Sequence, residues 1–580
     1  MTQMTSPYLP RFSDPGDIDE FVSTLGRFER GELSAEDFRR YRLTRGVYGQ
    51  RQTDVQMLRV KIPQGVLAPA SLEALAEVAE RFGHGHGNVT TRQNVQFHFV
   101  QMAHVETAMR RLDEAGLTTR EACGNTVRTV TADPLAGVCN HGTFDVTPYG
   151  EAITRFFLRS AWANSLPRKF KIALGYEPGD TAMAGIHDIG LIARVRDGKR
   201  GFLMRVAGGL STSPQAAIVF HEFLPEERLL DACEAVNRVF DRTGNRDNKH
   251  RARLKYVLRK MGHGPFLAAL HEEYAAVLAR GGTPLDLSVS TAPPAPPPPA
   301  STDDAPSTRG PGYLLWRGAN TVAQDQPGYH AVLIRLALGA VTATQLRALS
   351  KLVTDFADGS LRTSIEQNLV LRWVPTHRLP ALHAALDAIG LAKPGARTVA
   401  DVTTCPGAET CNLAVTASRQ VGAAISARLE SDVALHAAVK TAAATVIKVS
   451  GCPNSCGQHH IADIGWHGAA RKVGDRTAPV YQLHLGGGFD ENGARFGRQI
   501  VKIPARRVAE AVARLVQLYA DEKADGETAT AFYKRVTGAR VHALLDDLAD
   551  LDSDTPDETF LDIGESMGFR VAIGEGECAA

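Results

Sequence analysis

Apolar positions along this 580-residue chain recur in two rhythms. "ASLEALAEVAERF" (70–82) and "TQLRALSKLVTDF" (344–356) space them three and four apart, which predicts amphipathic helices. "MLRVKI" (57–62), "AVLIRLAL" (331–338), "NVQFHFV" (94–100) and "NLVLRWV" (368–374) are β-branched and aromatic, and predict strands. A second helix follows in each set and ends in Gly-Leu. The two sets superimpose without a gap. Gly65 matches Gly339, Gln93-Asn94 matches Gln367-Asn368, and Gly116-Leu117 matches Gly390-Leu391, all at one offset of 274 residues. A register held that far marks an internal duplication, with pseudo-twofold packing as its usual consequence. The β-α-β-α order suits ferredoxin-like half-domains in a mixed α+β fold. A looser echo follows, "HDIGLIARV" (187–195) with "IADIGWHGA" (461–469) and "RVAGGLS" (205–211) with "HLGGGFD" (484–490).

Between the copies lies "STAPPAPPPPASTDDAPSTRGPG" (290–312). Proline removes amide donors and favours extended backbone, so this stretch reads as an exposed connector. The chain then divides into an N-terminal extension (1–50), a first half-domain (51–125), an α/β domain (126–283), a connector (284–312), a second half-domain (313–395), a second α/β domain (396–540) and an acidic tail (541–580). The tail reads as a solvated helix followed by a loose end.

Hydrophobic residues make up 44% and charged residues 22%, ordinary for a soluble globular protein. The net charge of +1 gives no global field for nucleic acid or a membrane surface, so anion binding must come from a local cluster. The polar, acidic start is no signal peptide, and no apolar run approaches the roughly 20 residues of a membrane helix. A cytoplasmic protein is the expectation. In that compartment, grouped cysteines point to metal or redox chemistry over disulfides.

Four of the eight cysteines are grouped: Cys405 and Cys411 in "TTCPGAETCNLA", and Cys452 and Cys456 in "KVSGCPNSCGQHH". Residues able to start helices follow both pairs, where free amides and the helix dipole would favour thiolates. Four thiolates suit an iron–sulfur cluster. Structural zinc remains open, though its usual knuckles are C-x2-C or C-x4-C. Cys123, Cys139, Cys233 and Cys578 are scattered and read as plain thiols. "GHGHG" (83–87) reads as a turn, and a metal at His459-His460 is the lesser reading.

"TCPGAETCNLA" together with "KVSGCPNSCGQHHIADIG" resembles the sirohaem and 4Fe-4S signature of the sulfite and nitrite reductases, over about residues 40 to 540. The resemblance implies that Cys405, Cys411, Cys452 and Cys456 hold the cluster, with Cys456 shared as axial ligand of the sirohaem iron. Arg59, Arg128, Lys169 and Lys171 match the cations that bind substrate oxygens and feed protons. Arg92, Gln96 and His98 in "TTRQNVQFHF", read as alternating along one strand, match the group that holds sirohaem carboxylates. Asn454 and Gly487, the latter in "GGGF", join the cofactor set. Tyr48 and Cys123 match positions that form a thioether in some members. In the second copy Glu366 replaces Arg92, so only the first is set up for an anion.

The implied reaction is six-electron reduction of sulfite to sulfide, fed by a separate ferredoxin or flavoprotein, since no dinucleotide fingerprint is present. Lys171 adds charge suited to dianionic sulfite, where ferredoxin-dependent nitrite enzymes tend to carry asparagine. Nitrite reduction to ammonia is the alternative. A haem-free iron–sulfur carrier, a precorrin-3B synthase-like protein and a zinc-stapled binding module stand behind it.

Overall fold

Both duplicated helices form over Pro69–Phe82 and Ala343–Phe356. Proline opens the first, and Thr342 with Gln345 closes a capping box on the second. The computed structural model describes residues 10–139, 142–176, 179–288, 299, 310–490, 493–574 and 576–577. The Pro-rich connector, apart from residues 284–288, 299 and 310–312, lies outside the described residues. The N-terminal extension contributes two capped helices, Pro15–Glu29 and Ala35–Thr44.

The order inside each copy is richer than β-α-β-α. The first sheet runs Val47–Gly49, Val55–Val60, Val95–Gln101, His86–Val89 and Ala340–Thr342. The second runs Thr321–Ala323, Tyr329–Ile334, Leu369–Pro375, Leu361–Thr363 and Val66–Leu67. Each copy thus lends one short strand to the other's sheet, and those segments are equivalent under the 274-residue offset. They carry no alternating pattern long enough to register as strands in sequence. The "GHGHG" turn also runs directly into a strand, His86–Val89. One apolar core spans both copies, with Leu72, Leu75, Leu346 and Leu349 among its buried members.

The Gln-Asn pairs that set the register hold this exchange. Gln93 is fully buried; its Nε2 donates to Thr363 O at 2.8 Å and Ala132 O at 2.9 Å, and its Oε1 accepts from Ala132 N at 2.9 Å. Gln367 repeats the pattern, donating to Val89 O at 3.0 Å and accepting from Thr404 N at 2.9 Å. Asn94 accepts from Ile62 N and Asn368 from Leu336 N, at 3.3 and 2.9 Å. Both glutamines sit at positive φ, 59° and 69°, a turn conformation polar side chains tolerate better than branched ones.

Two further five-stranded sheets carry the chemistry. One runs Thr131–Ala132, Ile172–Gly175, Ile189–Arg196, Lys199–Val206, Ile218–Pro225; the other runs Thr403–Thr404, Ile447–Ser450, Ile464–Val473, Arg476–Leu485, Arg498–Pro504. In each, the first three strands are parallel and the last three antiparallel. The tail corrects the expectation of a loose end. Val541, Leu545 and Leu548 of helix Gly538–Ala549 are buried, Asp562 accepts from Ala417 N at 2.8 Å, and Glu577 pairs with Arg42. Its acidic residues meet donors from the body, which composition alone does not reveal.

Gln93→Ala would leave the Thr363 carbonyl and both backbone groups of Ala132 unpartnered in the core. The expected loss is about 2–4 kcal/mol, read as a lower denaturant midpoint; an unchanged midpoint would remove Gln93 from this role.

Candidate active site

The cysteine loops are built from short turns. Cys405 precedes the single 3-10 turn Gly407–Glu409, and Cys456 precedes His459–Ile461. Neither pair sits at the start of an α-helix; Ser418–Ser431 begins seven residues after Cys411. The expected helix-dipole support is therefore replaced by direct donors. Gly451 N and Ser418 Oγ each lie 3.2 Å from Cys405 Sγ. The glycines beside the cysteines serve close packing of loop on loop: a Cβ at Gly457 would meet Val449 O at 2.1 Å, and one at Gly407 would meet Ser418 N at 2.5 Å.

The four sulfurs act on one another. Burial, then Cys456, pushes the Cys405 thiol up; burial, Cys456 and Cys405 push Cys411 up to about 11 and Cys452 higher still. Thiols so crowded do not ionise freely at neutral pH, and a cationic centre among them offsets that cost. Four mutually interacting thiols with no other donor type among them suit an iron–sulfur cluster.

The first copy holds these loops in place. Thr91 Oγ1 donates to Cys456 O at 3.1 Å, Ser211 Oγ to Asn454 Oδ1 at 3.2 Å, Arg51 N to Thr410 O at 2.8 Å and Gln52 Nε2 to Glu409 O at 2.9 Å.

Cations gather on the first copy's side. Arg59 lies on strand Val55–Val60 opposite Gln96, whose amide oxygen accepts from Arg59 Nη2 at 2.7 Å when the amide is oriented to satisfy both groups. Arg128 donates to Gly124 O at 2.7 Å and Ala122 O at 3.1 Å, and Arg59 also reaches Ala122 O at 3.2 Å. Both arginines therefore grip the loop of buried Cys123. Lys169 and Lys171 are half-buried on either side of fully buried Phe170, which bridges Val127 just before strand Ile172–Gly175.

Arg92 departs from the one-strand expectation. It sits in the turn Thr90–Asn94, ahead of the strand Val95–Gln101 that carries Gln96 and His98, because Gln93 takes its left-handed conformation there. From that turn its guanidinium crosses to the neighbouring sheet, contacting Thr129 O, Thr131 Oγ1 and His187 Nε2. His187 is kept neutral by burial and by Arg92.

Burial, then Arg128, brings Arg92 down to about 9, with Arg253 and Arg59 adding to the effect and Asp188 opposing it. Burial, then Arg253, Arg92 and Lys169, holds the Lys171 amine well below its ordinary value, and the Cys456 sulfur opposes this. Asp188 already accepts from Arg253 at 2.7 Å and from Lys171 N at 2.9 Å. An excess of positive charge held largely away from water is costly without a counter-anion.

The second copy lacks that excess. Glu366 and Arg397 are mutually stabilised; burial opposes ionisation of both, and their attraction prevails. Sequence reading missed Arg253 and His187, and also Lys255 and Lys61, two amines lowered chiefly by burial and also by Arg253 and by Arg128 respectively. The Arg-x-Lys alternation of "RARLKY" and the proximity of Lys61 to Arg59 were the only signals. Gly487 donates its N–H to Ala462 O at 3.0 Å, and a Cβ there would meet His460 O at 2.4 Å.

His98 is not a satisfied core histidine: both ring nitrogens are buried without a hydrogen-bond partner. Burial, then Arg419 and Arg59, brings it down to about 3. A base lowered on folding stabilises above its unfolded value near 6.5 and loses that contribution as pH falls toward 3. In protein freed of prosthetic groups, stability is expected to drop by about 2 kcal/mol between pH 6.5 and 5 on account of His98. Urea midpoints across that window check it; a His98→Gln variant with the same slope would contradict it.

The Nitrite and sulphite reductase 4Fe-4S domain model matches residues 123–278 and 395–548, and the Nitrite/Sulfite reductase ferredoxin-like half domain model matches 48–115 and 322–389. Sulfite reductase [ferredoxin] 1 of Mycolicibacterium paratuberculosis is 28% identical over 81% of this chain and 80% of its own length. Ferredoxin--nitrite reductase of Synechococcus elongatus is 28% identical over 82% and 85%. The solved structure of the Mycobacterium tuberculosis NirA protein superposes with a TM-score of 0.75 at 26% identity, covering 90% of this chain and 97% of that one. With duplicated half-domains, paired cysteine loops and a cationic face opposite them, this chain belongs to the nitrite and sulphite reductase family of oxidoreductases.

Proposed function

We propose that the chain reduces sulfite to sulfide at a sirohaem coupled to the 4Fe-4S cluster, with electrons from a separate carrier. The observation that carries this reading is the buried cation excess around Arg92 and Lys171, beside the Cys456 sulfur. Cys405, Cys411, Cys452 and Cys456 would hold the cluster, with Cys456 shared with the sirohaem iron. Arg92, Gln96, His98, Asn454 and Gly487 would face the sirohaem carboxylates. The unpartnered ring of His98 and the many-carboxylate chemistry of that macrocycle are mutually suited. When bound, the two groups supply one-electron transfers.

Arg59, Arg128, Lys169 and Lys171 would bind and orient the oxyanion. The guanidinium groups of Arg59 and Arg128 would offset the charge of the ligand. The Lys171 amine, lowered by burial and neighbouring cations, is suited to exchange a proton at Nζ, and an arriving anion favours its charged form. Carrier names among the relatives favour a ferredoxin as donor. Nitrite stands as the second reading, because a nitrite-reducing relative is as similar as a sulfite-reducing one.

Side-by-side turnover of both anions with a reduced dye tests the choice. Lys171→Asn is expected to lower sulfite kcat/KM by roughly tenfold to a hundredfold, the worth of a charge-assisted hydrogen bond, and nitrite kcat/KM less. An equal fall in both removes the charge argument. Arg59 and Arg128 also hold the Cys123 loop by its backbone, and a Tyr48–Cys123 thioether is proposed there, formed by loss of the Cys123 S–H and one Tyr48 ring C–H hydrogen as two protons and two electrons, the electrons passing to an external oxidant such as dioxygen. Peptide mass after digestion is expected to give one linked species; two unlinked masses reject it.

A further inference from the structure

Four histidines that the reductase chemistry leaves unused meet in one buried cluster. His459 and His460 lie on the 3-10 turn three and four residues after Cys456; His467 and His484 face each other on strands Ile464–Val473 and Arg476–Leu485. All are buried. Ring centroids of His459 lie 4.1, 4.8 and 4.7 Å from those of His460, His467 and His484. One nitrogen from each of His459, His460 and His484 falls within 4.8 Å of the others.

The outer hydrogen bonds leave ligand positions open. His460 Nε2 lies 3.0 Å from Ser211 O and acts there as donor, freeing Nδ1 as a lone pair. His484 Nε2 lies 2.7 Å from His467 Nδ1, and His484 Nδ1 is buried without a well-formed hydrogen bond, with the Gly497 backbone as its polar neighbour. Both nitrogens of fully buried His459 are unpartnered. Ligating imidazoles characteristically donate their other N–H to a carbonyl or second side chain, as His460 and His484 can do here. Burial keeps all four rings neutral near pH 7, the form that ligates.

We propose that His459, His460 and His484 form a second metal site, separate from the cysteines, that binds a zinc-like divalent cation with His467 orienting His484. Three imidazoles and an open fourth position match a known zinc arrangement. Tetrahedral ligation brings nitrogens to about 3.4 Å apart, so the rings close in modestly from their present separation. Lys255 and Lys502 are the cations acting on His460 and His467, so the fourth ligand is expected to be water or a small anion. The metal would staple the turn following Cys456 to strand Arg476–Leu485. This inference does not rest on the choice of substrate or on sirohaem.

The test uses the purified holoenzyme dialysed against buffered micromolar Zn2+. Elemental analysis is expected to give one zinc per chain beside unchanged iron, and zinc-edge X-ray absorption a nitrogen shell near ~2.0 Å without sulfur near ~2.3 Å. His484→Gln is expected to lose the zinc while keeping its iron, and His467→Gln to weaken binding by roughly tenfold or more. No retained zinc, a sulfur shell, or zinc undiminished in His484→Gln overturns the proposal. The absorption measurement needs only the natural sequence, so it decides even if a variant fails to fold. Loss of sulfite or nitrite turnover in the same samples bears on the reductase reading alone.

Discussion

Two buried glutamines hold the duplicated frame together. Gln93 and Gln367 each tie a turn of their own copy to a strand of the other copy and to the first strand of the following α/β domain. A buried amide satisfied on both ends cannot be displaced without orphaning backbone groups, so the clamp fixes position as well as adding stability. Exchange of Val66–Leu67 and Ala340–Thr342 between the sheets follows the same twofold relation. Everything chemical hangs from that frame, because Arg92 leaves from the very turn that Gln93 anchors.

On this symmetric scaffold the charges are asymmetric. The turn that carries Arg92 in the first copy carries Glu366 in the second, where Arg397 balances it. The first copy keeps a surplus of buried cations and the second supplies sulfur, and the two meet where Thr91 holds the Cys456 carbonyl. Burial makes each side costly alone: cations without anions, and thiols pushed away from ionisation. The same physical penalty therefore marks both walls of the site, and a bound cofactor and anion would relieve it.

The tail and the histidines enlarge this picture. Glu577 and Asp562 meet donors far away in sequence, at Arg42 and the Ala417 amide, so an acidic stretch that reads as solvated is docked. Arg51 also donates to Ala572 O, and Gly574 N to Asn412 O, so the tail passes beside the loop of Cys411. The histidine cluster begins on the turn that follows Cys456.

Local pattern was enough for the paired helices and strands, the constant register between copies and the four cysteines, because periodicity and thiol chemistry are properties of the chain itself. It did not reveal the exchanged strands, which are two or three residues long and defined only by their partners. It placed Arg92 on a strand, since a left-handed glutamine leaves no mark in composition. Arg253, Lys255 and His187 entered the site, and His467 and His484 joined His459 and His460, through contacts between segments remote in sequence. Charge excess and ligand geometry are sums over neighbours in space, and only the folded chain decides who those neighbours are.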